Sequence, residues 1–134
     1  MSFKATLNLG DDKFRLLSVD FDFSQSHDYK TQTPTGEVMM GSISASTIVT
    51  KKSTLMKWML ERGMEKDGSI VFHNKKDDSS WRTLNFKKAY LVNYHESFSD
   101  GGELHCHLEI ISPEISLGEG ADWNASFDDP YADD

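Results

Sequence analysis

The stretch STLMKWMLERG, residues 53–63, is the one clear helical pattern in a chain that otherwise alternates like β-strands. Ser53 is predicted to cap the helix, because its hydroxyl can accept a hydrogen bond from an unpaired backbone amide. Gly63 suits the left-handed position that ends a helix. The residues that recur at helical spacing are Leu55, Trp58, Met59 and Arg62. Such a stripe either lines a ligand pocket or packs on a core, and we interpret it as the cover of a β-barrel.

The strand patterns alternate apolar and polar residues with a period of two, which is typical of half-buried strands. They lie at residues 3–9, 17–24, 38–50, 70–73, 81–98, 103–110 and 115–117. The first two are predicted to form a hairpin, and Asp67 and Gly68 are predicted to form a turn. Residues 81–98 are too many for one average strand, so we expect a bend or bulge near Lys87. The pattern predicts a mainly β fold, either a β-barrel or a curled sheet, that carries one α-helix.

Two segments lack the alternation of the predicted strands. Residues 24–37 form a polar connection, and a connection of this length in a compact domain is either functional or a floppy insertion. Residues 119–134 are acidic, which is typical of a solvated, flexible tail. Trp123, Phe127 and Tyr131 recur there every four residues, so the alternative is a segment that binds a partner. We therefore predict a β-barrel domain at 1–118 and a flexible C-terminal tail at 119–134.

Composition narrows the classes of partner. A chain of 134 residues has room for about one domain, and its net charge of -8 gives no basic surface for nucleic acid or anionic membranes. Cys106 is the only cysteine, so no internal disulfide can form. The first residues lack the basic and apolar parts of a cleaved signal peptide, and no segment is long and apolar enough for membrane insertion.

Few residues suggest chemistry. His105 and His107 share one face of a predicted strand while Cys106 lies on the other, so these three residues are not expected to bind one metal ion. Asp20 and Asp22 share the outward side of a strand and more simply form a solvated face than a pair of catalytic carboxylates. We therefore predict no enzyme, no metal and no cofactor.

Six pieces of sequence, in this order and spacing, resemble the Hcp (TssD) family of tube proteins from bacterial type VI secretion systems. They are MSFKATL at 1–7, FDFSQS at 21–26, GSISAS at 41–46, LMKWML at 55–60, GSIVF at 68–72 and AYLVNYHESF at 89–98. The resemblance covers about residues 2–118. EVMM at 37–40 is more apolar and acidic than the family pattern leads us to expect.

The resemblance implies two curled antiparallel sheets that form a β-barrel with one flanking α-helix. It also implies six copies in a ring and rings stacked into a hollow tube that carries effector proteins. It implies sheath, baseplate or spike components as further partners, assembly in the bacterial cytoplasm, and secretion by the type VI apparatus without a cleaved signal peptide. It also implies that the loop after the second strand reaches neighbouring subunits or rings. The interface residues expected from this are Gln25, Ser26, His27, Asp28, Tyr29, Lys30, Gln32, Thr33, Glu37, Met39 and Met40. The tail residues Trp123, Phe127 and Tyr131 are expected to bind a partner.

Three alternatives remain open from the sequence. A phage-type tail tube protein shares the same assembly principle. A monomeric small-ligand-binding β-barrel would use the helix as a lid. A small hydrolase built on Asp20, Asp22 and the histidines ranks below both.

Overall fold

The computed structural model describes residues 3–77, 79–118 and 120–125, which form ten β-strands and one α-helix. The elements are β1 Phe3–Leu9, β2 Asp12–Asp20, β3 Phe23–Asp28, β4 Thr33–Met40, β5 Ile43–Ile48, α1 Thr54–Leu60, β6 Lys66–Asn74, β7 Ser80–Ser97, β8 His105–Ile111, β9 Glu114–Leu117 and β10 Ala121–Asn124. The predicted mainly β fold with one helix is confirmed. No helix in these ranges is long and apolar enough to cross a membrane.

Six antiparallel strands close the barrel. They follow the order β7, β6, β1, β2, β5 and β8, and β8 pairs again with β7. Backbone hydrogen bonding is therefore continuous around the barrel. The two predicted sheets form one closed sheet. β9 and β10 extend the sheet from β7, while β3 and β4 form a separate two-stranded hairpin.

The 18-residue strand β7 joins these parts. One edge pairs with β6, and the other edge pairs with β9 and then with β8. Lys88 has a positive φ of 55°, and its amide donates to Asp67 Oδ1 at 2.9 Å. The Ser112 hydroxyl lies 2.7 Å from the Lys87 carbonyl oxygen. The predicted bulge near Lys87 is thus confirmed, and two side chains stabilise it.

The core fills the barrel interior. The largest side chains with almost no exposure are Trp58, Phe86, Leu7, Ile43, Ile70, Leu84, Leu108, Ile110 and Cys106. On α1, Leu55 and Trp58 are buried, and the Trp58 indole N–H donates to the Met64 carbonyl oxygen at 2.9 Å. The interpretation of the helical stripe as core is confirmed for Leu55 and Trp58. Met59 packs half-buried against the core, whereas Arg62 is exposed beyond the helix end. The predicted buried face of β8 is confirmed as well, since Cys106 is 2% exposed.

The helix begins differently from the prediction. α1 spans Thr54–Leu60, and Ser53 precedes it without making a side-chain capping bond. Thr54 instead donates its hydroxyl hydrogen to the Asp12 carboxylate, and Lys52 Nζ lies 3.1 Å from the same group. Contacts with β2 therefore hold the start of the helix in place of the predicted cap.

Strands β2 and β7 both change phase at bulges, and the one in β2 was not predicted. In β2 the register shifts between Leu16 and Ser18, so Phe14 and Leu16 face the core while Leu17 is 48% exposed. In β7 the buried residues are Leu84 and Phe86 before the bulge near Lys87 and Ala89 and Leu91 after it, so the buried face changes from even to odd positions. A second shift between Leu91 and Asn93 then brings Tyr94 back against the core.

Some predicted boundaries were wrong. The segment at 38–50 breaks after Met40, and only its second part, β5, belongs to the barrel. Gly68 lies inside β6 rather than in a turn. The connection at 24–37 is occupied by β3 and β4 instead of a loop. Residues 121–124 at the start of the acidic segment form β10, which pairs with β9.

Candidate assembly surface

The β3–β4 hairpin is the most exposed part of the fold. Its first strand reads FSQSHD, so it offers little apolar surface to bury, and almost every residue of both strands is exposed. Apolar side chains are nevertheless exposed on it: Tyr29 is 82% exposed, Met39 66% and Val38 43%. A protruding hairpin with exposed apolar groups is typical of a surface that contacts another protein.

The tip of the hairpin is held by local hydrogen bonds. Asp28 accepts from the Lys30 amide at 2.8 Å, and its carbonyl oxygen accepts from the Gln32 amide at 2.8 Å. Gln32 has a positive φ of 56°, and its side chain donates to the Tyr29 carbonyl oxygen at 2.7 Å. The His27 and Tyr29 rings meet edge to face at 5.2 Å between centroids. The tip therefore presents Tyr29 in a defined conformation.

The expected interface residues all lie on this hairpin. Those on β3 are Gln25, Ser26, His27 and Asp28, those in the turn are Tyr29, Lys30 and Gln32, and those on β4 are Thr33, Glu37, Met39 and Met40. Met40 differs from the others because it is half-buried and packs against the barrel core. Met40 therefore anchors the hairpin base, whereas Tyr29 and Met39 are available on the surface.

Trp123 joins the base of the hairpin from the opposite end of the sequence. Its indole N–H donates to the Val38 carbonyl oxygen at 3.0 Å. Its ring packs edge to face on Phe23, with 5.9 Å between centroids. A groove of about 320 Å³ between β4 and β10 includes Val38, Met39 and Trp123 in its lining. Phe127 and Tyr131, which the sequence grouped with Trp123, lie outside the described residues.

The candidate chemical groups remain apart from this surface. Asp20 and Asp22 are exposed near the junction of β2 and β3. His105 is exposed and His107 is half-buried on the face of β8 opposite to Cys106. Within the described ranges, no group of three His, Cys, Asp or Glu side chains is arranged to hold a metal ion. These side chains do not build a reactive centre with the hairpin.

Cys106 is a core residue. Burial raises the pKa of its thiol, although a hydrogen bond with Tyr94 acts in the opposite direction. Burial also raises the pKa of Tyr94, as does the hydrogen bond that its hydroxyl donates to Glu96 at 2.5 Å. Both shifts favour the protonated form, and burial of Cys106 in the core is typical of a structural rather than a reactive cysteine.

Phe23 and Val38 also belong to the hairpin surface, although neither residue was predicted there from the sequence. Phe23 was assigned to a barrel strand and Val38 to the strand that follows the connection. Their shared neighbour Trp123 is 85 positions from Val38, and no local pattern signals that contact. The valine and methionines of EVMM at 37–40 were the available signal, since these apolar residues directly follow a polar segment.

A comparison with protein families decides the relationship. The family described as hemolysin coregulated protein Hcp (TssD) matches residues 1–125. The chain belongs to the Hcp (TssD) family. Hcp (TssD) is a family of type VI secretion tube proteins, so the resemblance drawn from the sequence is confirmed. Among curated proteins, no sequence matches this chain.

Solved Hcp structures share the fold. Hcp1 from Flavobacterium johnsoniae is 25% identical and superimposes with a TM-score of 0.83, covering 90% of this chain and 98% of that one. Hcp1 from Salmonella typhimurium is 13% identical with a TM-score of 0.68, covering 87% and 86%. A chain of the anti-feeding prophage baseplate, solved by cryo-electron microscopy with six-fold symmetry, is 17% identical with a TM-score of 0.57, covering 89% and 94%.

Proposed function

We propose that this Hcp protein is a structural subunit of a type VI secretion inner tube, without catalytic activity. Six copies close into a ring, rings stack into a hollow tube, and the tube carries effectors. Membership of the Hcp (TssD) family over residues 1–125 is the observation that carries this proposal. The six-fold symmetry applied to the prophage baseplate, which contains a chain of related fold, supports the number of copies.

Ring closure requires one surface of a subunit to meet a different surface of its neighbour. The six barrel strands pair with each other all the way around, so none of them is an edge strand. The β3–β4 hairpin and β10 lie outside that closed set. They supply free backbone edges and exposed apolar side chains within the described part of the chain, and this favours the hairpin as the contact between subunits or rings.

The eleven hairpin residues from Gln25 to Met40 named above form the proposed interface. Tyr29 and Met39 are its strongest contributors, because they have the largest exposed apolar surface there. For the tail we propose that Phe127 and Tyr131, together with Trp123, bind an effector or a baseplate component. Sheath and spike components are further partners, and the subunit is assembled in the cytoplasm before the apparatus secretes it.

Electron microscopy and mass measurement of the purified chain test the proposal. We expect rings with a central pore, and a species with six times the mass of one chain, that grow or stack as the protein concentration rises. A sample that remains monomeric at high concentration, with no rings in the images, contradicts the proposal.

A matched pair of variants tests the hairpin as the contact. Met39→Glu places a charge within the proposed apolar contact, so we expect loss of rings or of stacking with little change in barrel stability. Leu60→Glu is the control, since Leu60 is 75% exposed on the helix and lies outside the hairpin. Equal assembly of both variants contradicts the assignment of the interface.

A tail tube subunit of another contractile injection system is the second candidate. The fold shared with a chain of the anti-feeding prophage baseplate favours it. The two candidates differ in their partners rather than in their assembly. Pull-down of sheath and baseplate proteins from the source cells, with Met39→Glu as the control, distinguishes them.

A further inference from the structure

We propose that Trp123 is a positioning residue that sets the angle of the β3–β4 hairpin on the barrel. The inference deepens the proposed function, because it concerns the hairpin that we assign as the assembly contact. It also gives β10 a role within its own subunit. Trp123 acts through Phe23 and Val38, and its own contact with a neighbouring copy is not required.

The hairpin is connected to the barrel by two short links that lie side by side. Residues 21–22 lead from β2 into β3, and residues 41–42 lead from β4 into β5. The Gly41 amide donates to the Asp22 carbonyl oxygen at 3.0 Å, which brings the two links together. Beyond them, β3 and β4 pair only with each other among the described strands. Two adjacent links form a hinge, and Met40 packs against the barrel core beside it, so a further contact is needed to define the angle of the hairpin.

Trp123 supplies such a contact from the side. The indole ring packs on Phe23 of β3, while the indole N–H donates to the Val38 carbonyl oxygen of β4. One side chain therefore holds both strands of the hairpin. Because the indole N–H of this β10 residue reaches the Val38 carbonyl oxygen, that carbonyl lies on the side of β4 that faces β10. Because a hydrogen bond is directional, this bond fixes the orientation of β4 relative to β10 as well as the distance between them.

Trp123 is itself fixed to the barrel. It pairs in register with Ile115 of β9, which is 3% exposed, and β9 pairs with β7. The Ala125 amide donates to the Pro113 carbonyl oxygen at 2.6 Å, just beyond the end of β10. A continuous set of backbone hydrogen bonds thus runs from β7 through β9 to β10. The indole ring connects these hydrogen-bonded strands to the base of the hairpin.

Distance measurement between two spin labels tests the positioning role. Tyr29→Cys places one label at the hairpin tip, and Leu60→Cys places the other on the helix, both at highly exposed positions. Cys106 is 2% exposed, so it does not compete for the label. Labelled chains are diluted into unlabelled chains so that each measured distance lies within one subunit.

We expect a narrow distance distribution in the parent and a broad one in Trp123→Ala. Trp123→Phe keeps the ring and loses the N–H donor, so it should broaden the distribution to an intermediate degree; loss of one such hydrogen bond raises an opening equilibrium about two- to tenfold. Trp81→Ala is the control, because Trp81 is 57% exposed on β7 and makes a different contact, with Arg82. A distribution that stays narrow in both Trp123 variants overturns the proposal.

Imaging the same proteins separates this inference from the proposed function. If the parent forms tubes and the Trp123 variants form fewer, both proposals are supported. If the parent forms no rings, the proposed function fails, while the distance distributions still decide the role of Trp123. If Trp123→Ala does not fold, the distance distribution of Trp123→Phe decides whether Trp123 positions the hairpin.

Discussion

Gly68 shows how one residue sets the packing of the barrel wall. It lies inside β6, opposite Phe86 of β7. A Cβ atom there would lie 2.6 Å from the Asn8 carbonyl oxygen and 2.7 Å from Phe86 Cζ. Real Cβ atoms do not approach backbone oxygen so closely, so the strands must separate to admit a side chain. Glycine within a strand often marks such a close approach.

Gly68→Ala should therefore destabilise the fold by about 1–3 kcal/mol, the typical cost of overpacking. Urea denaturation followed by circular dichroism measures the change. Gly36→Ala is the matched control, since its added methyl group meets only the hydroxyl of exposed Ser26, which can rotate away. The control should change stability by less than about 0.5 kcal/mol. Equal costs for the two variants would contradict the close approach at Gly68.

Single residues were predictable where a strand keeps its phase. Cys106, Leu108 and Ile110 of β8 were assigned to the buried face, and they are buried. Phe14 and Leu16 were missed, because the bulge after Leu16 reverses the faces of β2 within one residue. A bulge depends on the register with the neighbouring strand, so alternation along one strand does not reveal it.

The helix α1 contributes two buried side chains to the core. It has only seven residues, yet Leu55 and Trp58 are buried and the Trp58 indole bonds to Met64 beyond its end. A helix this short is not stable by itself in water. Its stability therefore comes from packing on the barrel.

Trp58→Ala should cost about 3–5 kcal/mol, because it leaves a large cavity and an unpaired carbonyl group. Leu60→Ala, at an exposed position of the same helix, should change stability by less than about 0.5 kcal/mol. Chemical denaturation of both variants gives the comparison. If the two costs were similar, the helix would not belong to the core.

The Asp12 contacts at the start of α1 predict a pH dependence. Hydrogen bonds from Thr54 and then from Lys52 hold the pKa of Asp12 below its ordinary value of 3.8. The folded state thus prefers the carboxylate, so this stabilisation is present above pH 3.8 and is lost as the pH falls through the lower folded-state pKa.

Asp12→Asn should therefore lower the melting temperature at neutral pH, and the difference from the parent should shrink as the pH drops below 3.8. Melting curves of both proteins across this pH range measure it. Asp11→Asn is the control, since Asp11 is exposed in the preceding turn. A difference that stays constant with pH would show that the charge of Asp12 does not stabilise the helix start.

Helices and strands could be predicted from the sequence where one face of the element is buried and the other is exposed. The helix and the strands at the barrel wall carry that pattern. The hairpin does not, because β3 and β4 are exposed on both faces and bury too little apolar surface to impose an alternation. The sequence therefore showed that residues 24–37 are unusual, but it gave no sign that they are paired strands.

At the scale of the whole molecule, net charge opposes assembly. Each chain carries a net charge of -8, so neighbouring copies repel each other unless salt screens them. Screening lengths fall from about 30 Å at 0.01 M salt to about 8 Å at 0.15 M. We therefore expect the ring fraction at fixed protein concentration to increase between these two conditions.

Mass photometry or sedimentation measures the ring fraction for this prediction. Met39→Glu adds a further negative charge at the proposed contact, so its assembly should require more salt than that of the parent. A ring fraction that falls with salt would instead show that ion pairs between subunits outweigh the overall repulsion.

The global arrangement was predictable through the family resemblance, whereas long-range contacts were not. The contact between Trp123 and Val38 joins residues 85 positions apart and depends on how β10 extends the sheet from β9. The aromatic spacing of the acidic segment indicated a docking role for Trp123. The structure shows that Trp123 makes a contact within its own chain, while the prediction of a tail domain boundary at residue 118 stays a prediction.

Closure of the barrel by β8 has a consequence for synthesis. β8 must pair with β5 on one side and with β7 on the other, and it is supplied only by residues 105–111. In a nascent chain from which β8 has not yet emerged, β5 and β7 each keep an unpaired edge beside an open apolar interior. Such edges promote aggregation, so the chain is most prone to aggregate before β8 has paired with both neighbours.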